Sequence, residues 1–208
     1  MKQRELALDL GQLVVTRGIA VIGPVTLQLA VGEQLALTGP NGAGKSSLLL
    51  AIAGLLPIQS GTLSIAGQPI TRGPAAPESW QRGLGWMGQE RGLWPHLSIE
   101  AQCRLAAAKD RASRQRIGAI AEQLAISDRI TRFPAQLSGG EAQRAELLRA
   151  VITPGRLLLL DEPFSAQNQE GRQRMETLLD QLCSEGRAVL MASHEVSQNR
   201  ASCSIGSP

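Results

Sequence analysis

The sequence predicts an α/β fold: a mostly parallel sheet with flanking helices, an antiparallel β-subdomain folded into its first part, and a helical subdomain. Three observations predict it. Short apolar strands alternate with helices through the second half, a pattern that sets strands side by side with helices on their faces. A glycine-rich turn over residues 39–44 joins an apolar strand to a helix. The first third reads as strands and tight turns. A chain of 208 residues supports one substantial core and not two large independent ones. It is read as a single domain over 1–208, with a core of 1–90 and 136–208 and a helical subdomain of 91–135.

Taken in order, Leu6 to Val15 and Val25 to Leu29 alternate apolar with polar or small residues, as half-buried strands do. Leu35 to Leu37 is a short apolar strand, and a helix should follow from Lys45 to about Leu55, stopped by Pro57. Gly61 to Gly67 reads as an exposed strand, and Pro69 to Pro77 as a surface loop. Ile99 to Lys109 and Ser113 to Leu124 are helical by composition, with few β-branched residues. Beyond them come a helix over Gly139–Val151, a buried strand over Leu157–Leu160, a helix over Gln169–Leu182 and a buried strand over Ala188–Met191. In the helix from Gln169, residues Met175, Leu178, Leu179 and Leu182 fall on one apolar face.

Apolar residues make up 43% and charged residues 19%, as in ordinary soluble proteins. The longest apolar run, Leu48 to Leu56, is about half of the ~20 residues a membrane-spanning helix needs. Met1 to Glu5 carries charge with no apolar stretch behind it, so no signal peptide is read. Any membrane is then reached through a partner. Net charge is +3, with basic residues scattered among acidic ones; the densest basic stretch, Lys109 to Arg116, also holds Asp110. It reads as a solvated helix face, and no nucleic-acid partner is expected. Cys103, Cys183 and Cys203 are odd in number and lack CxxC spacing, which speaks against a disulfide framework or structural zinc and for a reducing cytosol.

The chemistry begins at Gly39, Pro40, Asn41, Gly42, Ala43, Gly44, Lys45 and Ser46, which fit the phosphate-binding loop GxxxxGK[ST] at every fixed position. Glycines let successive backbone N–H groups turn inward around an anion, and the following helix aims its positive end there. Lys45 neutralises β- and γ-phosphates, the Ser46 hydroxyl ligates Mg²⁺, and Ser47 joins the nucleotide-binding set. A strand before and a helix after supply the required context, so the core is that of a P-loop NTPase. Leu157 to Leu160 runs into Asp161 and Glu162. Asp161 is placed to hold Mg²⁺ and Glu162 to polarise a water in line with the γ-phosphate. Leu137-Ser138-Gly139-Gly140-Glu141 reads, on its own, as a helix start with Ser138 and Glu141 in a capping box. It is also a second anion-binding helix end, and one chain should not need two for a single nucleotide.

Leu-Ser-Gly-Gly-Glu resembles the signature sequence of the ATP-binding cassette family. In that family two cassettes face head to tail, and the signature of one closes on the γ-phosphate held by the other. The resemblance therefore implies that Ser138, Gly139 and Gly140 bind nucleotide across a dimer. Gln89, in Gly85-Trp86-Met87-Gly88-Gln89, is similar to the Q-loop glutamine that senses Mg²⁺ and the water. Ser165 to Asn168 sits where the D-loop belongs, and His194 matches the switch histidine that contacts the γ-phosphate. The resemblance spans about residues 6–196. It implies Mg²⁺-dependent ATP hydrolysis with Glu162, Gln89 and His194 as catalytic residues, powering transport by a separate transmembrane permease.

Further expectations follow from the resemblance. The chain sits peripherally on the cytoplasmic face of the cell membrane. A second cassette completes the site; this chain has every catalytic residue, which suits a homodimer, with a heterodimer as the alternative. A substrate-binding protein is a further candidate partner. The segment Arg91 to Leu97 occupies the place where family members meet a coupling helix of the permease, and Trp94 is either an anchor in an apolar socket or subdomain core. The Leu-Trp-Pro-His-Leu-Ser segment is most similar to importers of vitamins, oxyanions or metals, of the thiamine or molybdate type. Rival readings are a soluble cassette ATPase acting on DNA or ribosomes, a haem-exporter-like cassette, and a chain that binds ATP without turnover.

Three departures stand out. Family members usually stack an aromatic ring on adenine, yet no Phe, Tyr or Trp precedes Trp80. Arg17 stands in the matching window, Thr16 to Ile19, where its guanidinium plane can stack on a base. Weak affinity and poor discrimination between ATP and GTP are expected. The D-loop ends in Gln167-Asn168 in place of the usual Leu-Asp. Only fourteen residues follow His194, which predicts either a bare sheet edge or a shortened cassette.

Overall fold

A computed structural model describes residues 4–70, 76–90, 92–107, 110–193 and 201–204. Its strands are β1 (Leu6–Arg17), β2 (Ala20–Ala30), β3 (Gln34–Thr38), β4 (Ile58–Ile65), β5 (Gln68–Pro69), β6 (Leu84–Met87), β7 (Leu157–Asp161), β8 (Ala188–Ala192) and β9 (Ala201–Ser204). Its helices are α1 (Lys45–Ala53), α2 (Ile99–Ala106), α3 (Arg111–Gln123), α4 (Gly139–Ile152) and α5 (Gln169–Ser184). An antiparallel sheet has the order β2-β1-β4-β5, and a second sheet the order β6-β7-β8-β3-β9. Every strand pair in the second sheet is parallel.

Sequence and structure differ at the edges of elements. β1 and β2 run into a tight turn with Gly18 at φ 62, so the hairpin is longer than its apolar alternation. α1 ends at Gly54, a left-handed C-cap at φ 84, before Pro57 is reached. The Arg82 guanidinium finishes that end, donating to the carbonyls of Ala51 (3.0 Å) and Ile52 (2.8 Å). β6, which the sequence reading did not recognise, pairs with β7. The sheet edge is not bare: β9 pairs with β3 from Leu35↔Ala201 to Thr38↔Ser204.

The parallel sheet separates two hydrophobic cores. Leu157 and Leu159 of β7 pack with α1 and the antiparallel sheet, while Leu158 and Leu160 face α2 to α5. That is the period-2 alternation of a strand buried on both faces. Strands β3, β7 and β8 therefore deliver their C-terminal ends, Thr38, Asp161 and Ala192, to one rim of the sheet. Among the described residues no helix is long and apolar enough to cross a membrane.

Candidate functional site

β3 ends at that rim and the chain turns through residues 39–44 into α1. Gly42 and Gly44 have φ of 83° and 93°, values a side chain disfavours. A Cβ on Gly42 would meet nothing within 4 Å, so the loop opens there, whereas one on Gly44 would lie 2.4 Å from Ile22 Cγ1. Ile22 of β2 thus packs directly on the loop. Lys45 is buried, and its Nζ donates to the carbonyls of Gly39 (2.8 Å) and Pro40 (3.0 Å). An ammonium needs such acceptors when removed from water, and these hold it inside the loop. The result is a concave ring of backbone with one fixed cation at the positive end of a helix.

A cleft of about 580 Å³ opens over this ring. Residues 41–47 form its floor, Arg17, Ala20 and Ile22 one wall, and Gln89 and Glu162 the other. Folding thus brings Asn41, Gly42, Ala43, Gly44, Lys45, Ser46, Ser47, Gln89 and Glu162 to one cavity. Gln89 follows β6 and Glu162 follows β7, which are neighbours in the sheet. Asp161, the last residue of β7, is buried. Ser46 and Gln89 line the cleft with a hydroxyl and an amide oxygen, the kind of donor a hard cation such as Mg²⁺ takes, while Asp161 is not part of the lining. Glu162 adopts the left-handed φ of 50°, which costs a non-glycine residue about 1–2 kcal/mol. Its N–H donates to the Ala192 carbonyl at 3.0 Å.

Ser138, Gly139 and Gly140 do not line this cleft. They open α4, where Ser138 Oγ accepts from the Glu141 N–H (3.3 Å) and Glu141 Oε2 accepts from the Ser138 N–H (2.8 Å). This is a capping box. Glu141 Oε1 also accepts from Arg129 Nε at 2.8 Å. The Ser138 amide first, and then Arg129, hold the Glu141 carboxyl down at about 2. His194 lies outside the described residues, as does Arg91.

A family profile described as ABC transporter matches residues 22–165. The chain belongs to the ABC transporter family. As a member it is an ATP-binding, ATP-hydrolysing cassette subunit, and the matches favour this over the nucleic-acid and haem-exporter readings. The thiamine import ATP-binding protein ThiQ of Salmonella choleraesuis is 42% identical over 180 residues, covering 83% of this chain and 75% of that protein. ThiQ of Photorhabdus laumondii is 39% identical over 175 residues, covering 82% and 73%. A solved ATP-binding subunit of an ABC transporter superposes with a TM-score of 0.80 at 26% identity, over 90% of this chain and 79% of that one. A bacterial ABC transporter cassette solved as a dimer has the same fold, at 24% identity and a TM-score of 0.80, over 90% and 88%.

In this ABC cassette the loop after β7 is tied to α4 by a residue that sequence reasoning passed over. Gln143 Nε2 donates to the Glu162 carbonyl (3.2 Å) and to Ser165 Oγ (3.0 Å). Its Oε1 accepts from the Ala166 N–H (3.1 Å) and from Gln167 Nε2 (2.9 Å). Gln167 Nε2 also donates to the Gly140 carbonyl (3.0 Å), while its Oε1 accepts from Arg144 Nη1 (2.9 Å). Gln167 therefore bonds within its own chain to the turn that opens α4. Asn168 caps α5, its Oδ1 accepting from the Gly171 N–H at 2.8 Å. Nothing in the local sequence marks Gln143, since a glutamine in a helix usually faces water.

Proposed function

We propose that this chain is the ATPase of a thiamine-type small-molecule importer. It would act at the cytoplasmic face of the membrane, through a transmembrane permease and a second cassette, with a substrate-binding protein delivering the cargo. The cargo reading rests on likeness to thiamine import proteins. The observation that carries the chemistry is the single cleft shared by Lys45, Ser46, Gln89 and Glu162.

Backbone N–H groups of residues 41–46 and the Lys45 ammonium take the phosphates of ATP. Ser46, Asp161 and Gln89 would hold Mg²⁺, which when bound would offset the negative charge of the phosphates. Glu162 accepts a hydrogen bond from the attacking water and orients it toward the γ-phosphorus, with Gln89 beside it in the cleft; the role of His194 rests on family resemblance alone. Ser138, Gly139 and Gly140 lie outside the cleft and serve the nucleotide of a facing cassette, which supplies its own signature in return. A homodimer satisfies this with two equivalent sites. Arg17, Ala20 and Ile22 border the base, which is held without an aromatic ring.

The test is turnover by the purified chain and by the Glu162→Gln variant. Loss of a positioned general base lowers kcat by about 10²–10⁴-fold while nucleotide binding persists. Unchanged turnover would remove Glu162 from its role. Affinity capture from detergent-solubilised membranes should recover a multi-spanning protein in stoichiometric amount. Recovery of soluble partners alone would sink the transport reading.

A further inference from the structure

Among the described residues three charged side chains are buried: Lys45, Asp161 and Glu146. The first two belong to the ATP site, but Glu146, in the middle of α4, lies away from the cleft. A carboxylate is kept from water only where it is well bonded. Glu146 Oε1 accepts from the Gly92 N–H, and Arg149 Nη1 donates to the Gly92 carbonyl. Both backbone groups of Gly92 are thus held by side chains of one helix. The approach is close: a Cβ on Gly92 would lie 3.0 Å from Arg149 Nη2, and the guanidinium would have to shift to admit it.

The hold extends along the segment. The Arg149 guanidinium lies 5.5 Å from the centroid of the Trp94 ring. From the other side Gln102 of α2, fully buried, accepts from the Trp94 N–H and donates to the Trp94 and Leu97 carbonyls, each at 3.0 Å. Leu93 points into the core while Trp94 stays 42% exposed. A stretch without regular structure is thereby fixed by the side chains of two helices. Gln89 stands three residues before Gly92 and lines the ATP cleft.

We propose that Glu146 and Arg149 are positioning residues that fasten the Gly92–Leu97 segment, and through it Gln89, to the signature helix α4. On this account α4 has three attachments. Its first turn meets the facing nucleotide, Gln143 holds the loop of Glu162, and Glu146 with Arg149 holds the loop of Gln89. A shift of α4 then moves the wall of the cleft formed by Gln89 and Glu162, and the exposed Trp94, together. The inference rests on the assignment of Gln89 to the ATP site made above.

The experiment compares the full-length chain with its Glu146→Ala and Glu146→Gln variants. Hydrogen exchange is read at the peptide covering 89–97, and kcat is normalised to bound nucleotide. Loss of the acceptor in Glu146→Ala should raise exchange at Gly92 about tenfold. It should lower normalised kcat about tenfold, with KM for ATP held within about twofold, because the phosphate loop is untouched. Glu146→Gln retains an oxygen acceptor and should restore both readouts. A merely structural role would lower thermal stability and leave normalised kcat alone. Faster exchange with unchanged kcat would overturn the linkage, and unchanged exchange would overturn the clasp itself. If the unmodified chain fails to turn over ATP, the proposed function falls, while the exchange ratio still decides the clasp.

Discussion

Replacing Gln143 with Ala removes four hydrogen bonds at once, and the structure indicates how much each should matter. Ser165 and Ala166 are exposed, so water replaces the bonds to Ser165 Oγ and the Ala166 N–H at little cost. Glu162 and Gln167 are half-buried, and each lost partner there costs about 1 kcal/mol. Deleting the rest of a buried side chain adds about 0.5–1 kcal/mol of lost packing. The sum is about 2.5 kcal/mol, or a fall in Tm of about 5–10 °C for a domain of this size. A thermal melt followed by circular dichroism, with saturating nucleotide absent, reads the shift. The same variant should lose kcat, because Glu162 holds a left-handed φ only while its neighbours impose it. A Tm within about 2 °C of the unmodified protein, together with unchanged kcat, would refute the reasoning.

Two further outcomes are expected. Arg17→Ala should weaken ATP and GTP alike by about 2–5-fold, the worth of an exposed cation–π contact, measured by fluorescence titration; an unchanged ATP Kd would remove Arg17 from the base wall. The capping box gives an acid dependence. Folding depresses the Glu141 carboxyl to about 2, below its ordinary range. Its contribution is therefore complete above the unfolded value near ~4.3 and is lost as pH falls from there through about 2. Glu141→Gln, which keeps the capping oxygen and loses the charge, should cost about 0.3–1 kcal/mol at pH 7 and much less at pH 2.5 in chemical denaturation; a pH-independent difference would discard the charged cap.

The sequence made the phosphate loop, the two carboxylates after β7 and the strand–helix alternation legible because each is local: spacing alone dictates the geometry. What stayed hidden depends on distant packing. β6 is four residues long and contains Gly85, where a Cβ would strike the Ala150 carbonyl at 2.2 Å; nothing in Leu-Gly-Trp-Met announces that contact. β9 reads as a polar tail and becomes a strand through pairing with β3. Gln143, Glu146 and Gln102 look like solvent-facing helix residues until the loops they hold are folded against them. The departure at Gln167 was visible, but its bonds to Gly140 and Arg144 were not. Between anchor and core the segment divides: Leu93 fills the core and Trp94 is left half-exposed under Arg149.

The partition of the hydrophobic interior by the parallel sheet has an evolutionary consequence. Alternate residues of β7 and β8 serve different cores, so the two sides share backbone and little side-chain packing. A change of volume on the side of α2 to α5 is not transmitted by direct contact to α1 and the phosphate loop, and effects at well-separated sites add independently. Lineages that drift toward new neighbours can remodel the helical side residue by residue away from Gln143, Glu146 and Arg149, while the phosphate loop keeps its fit.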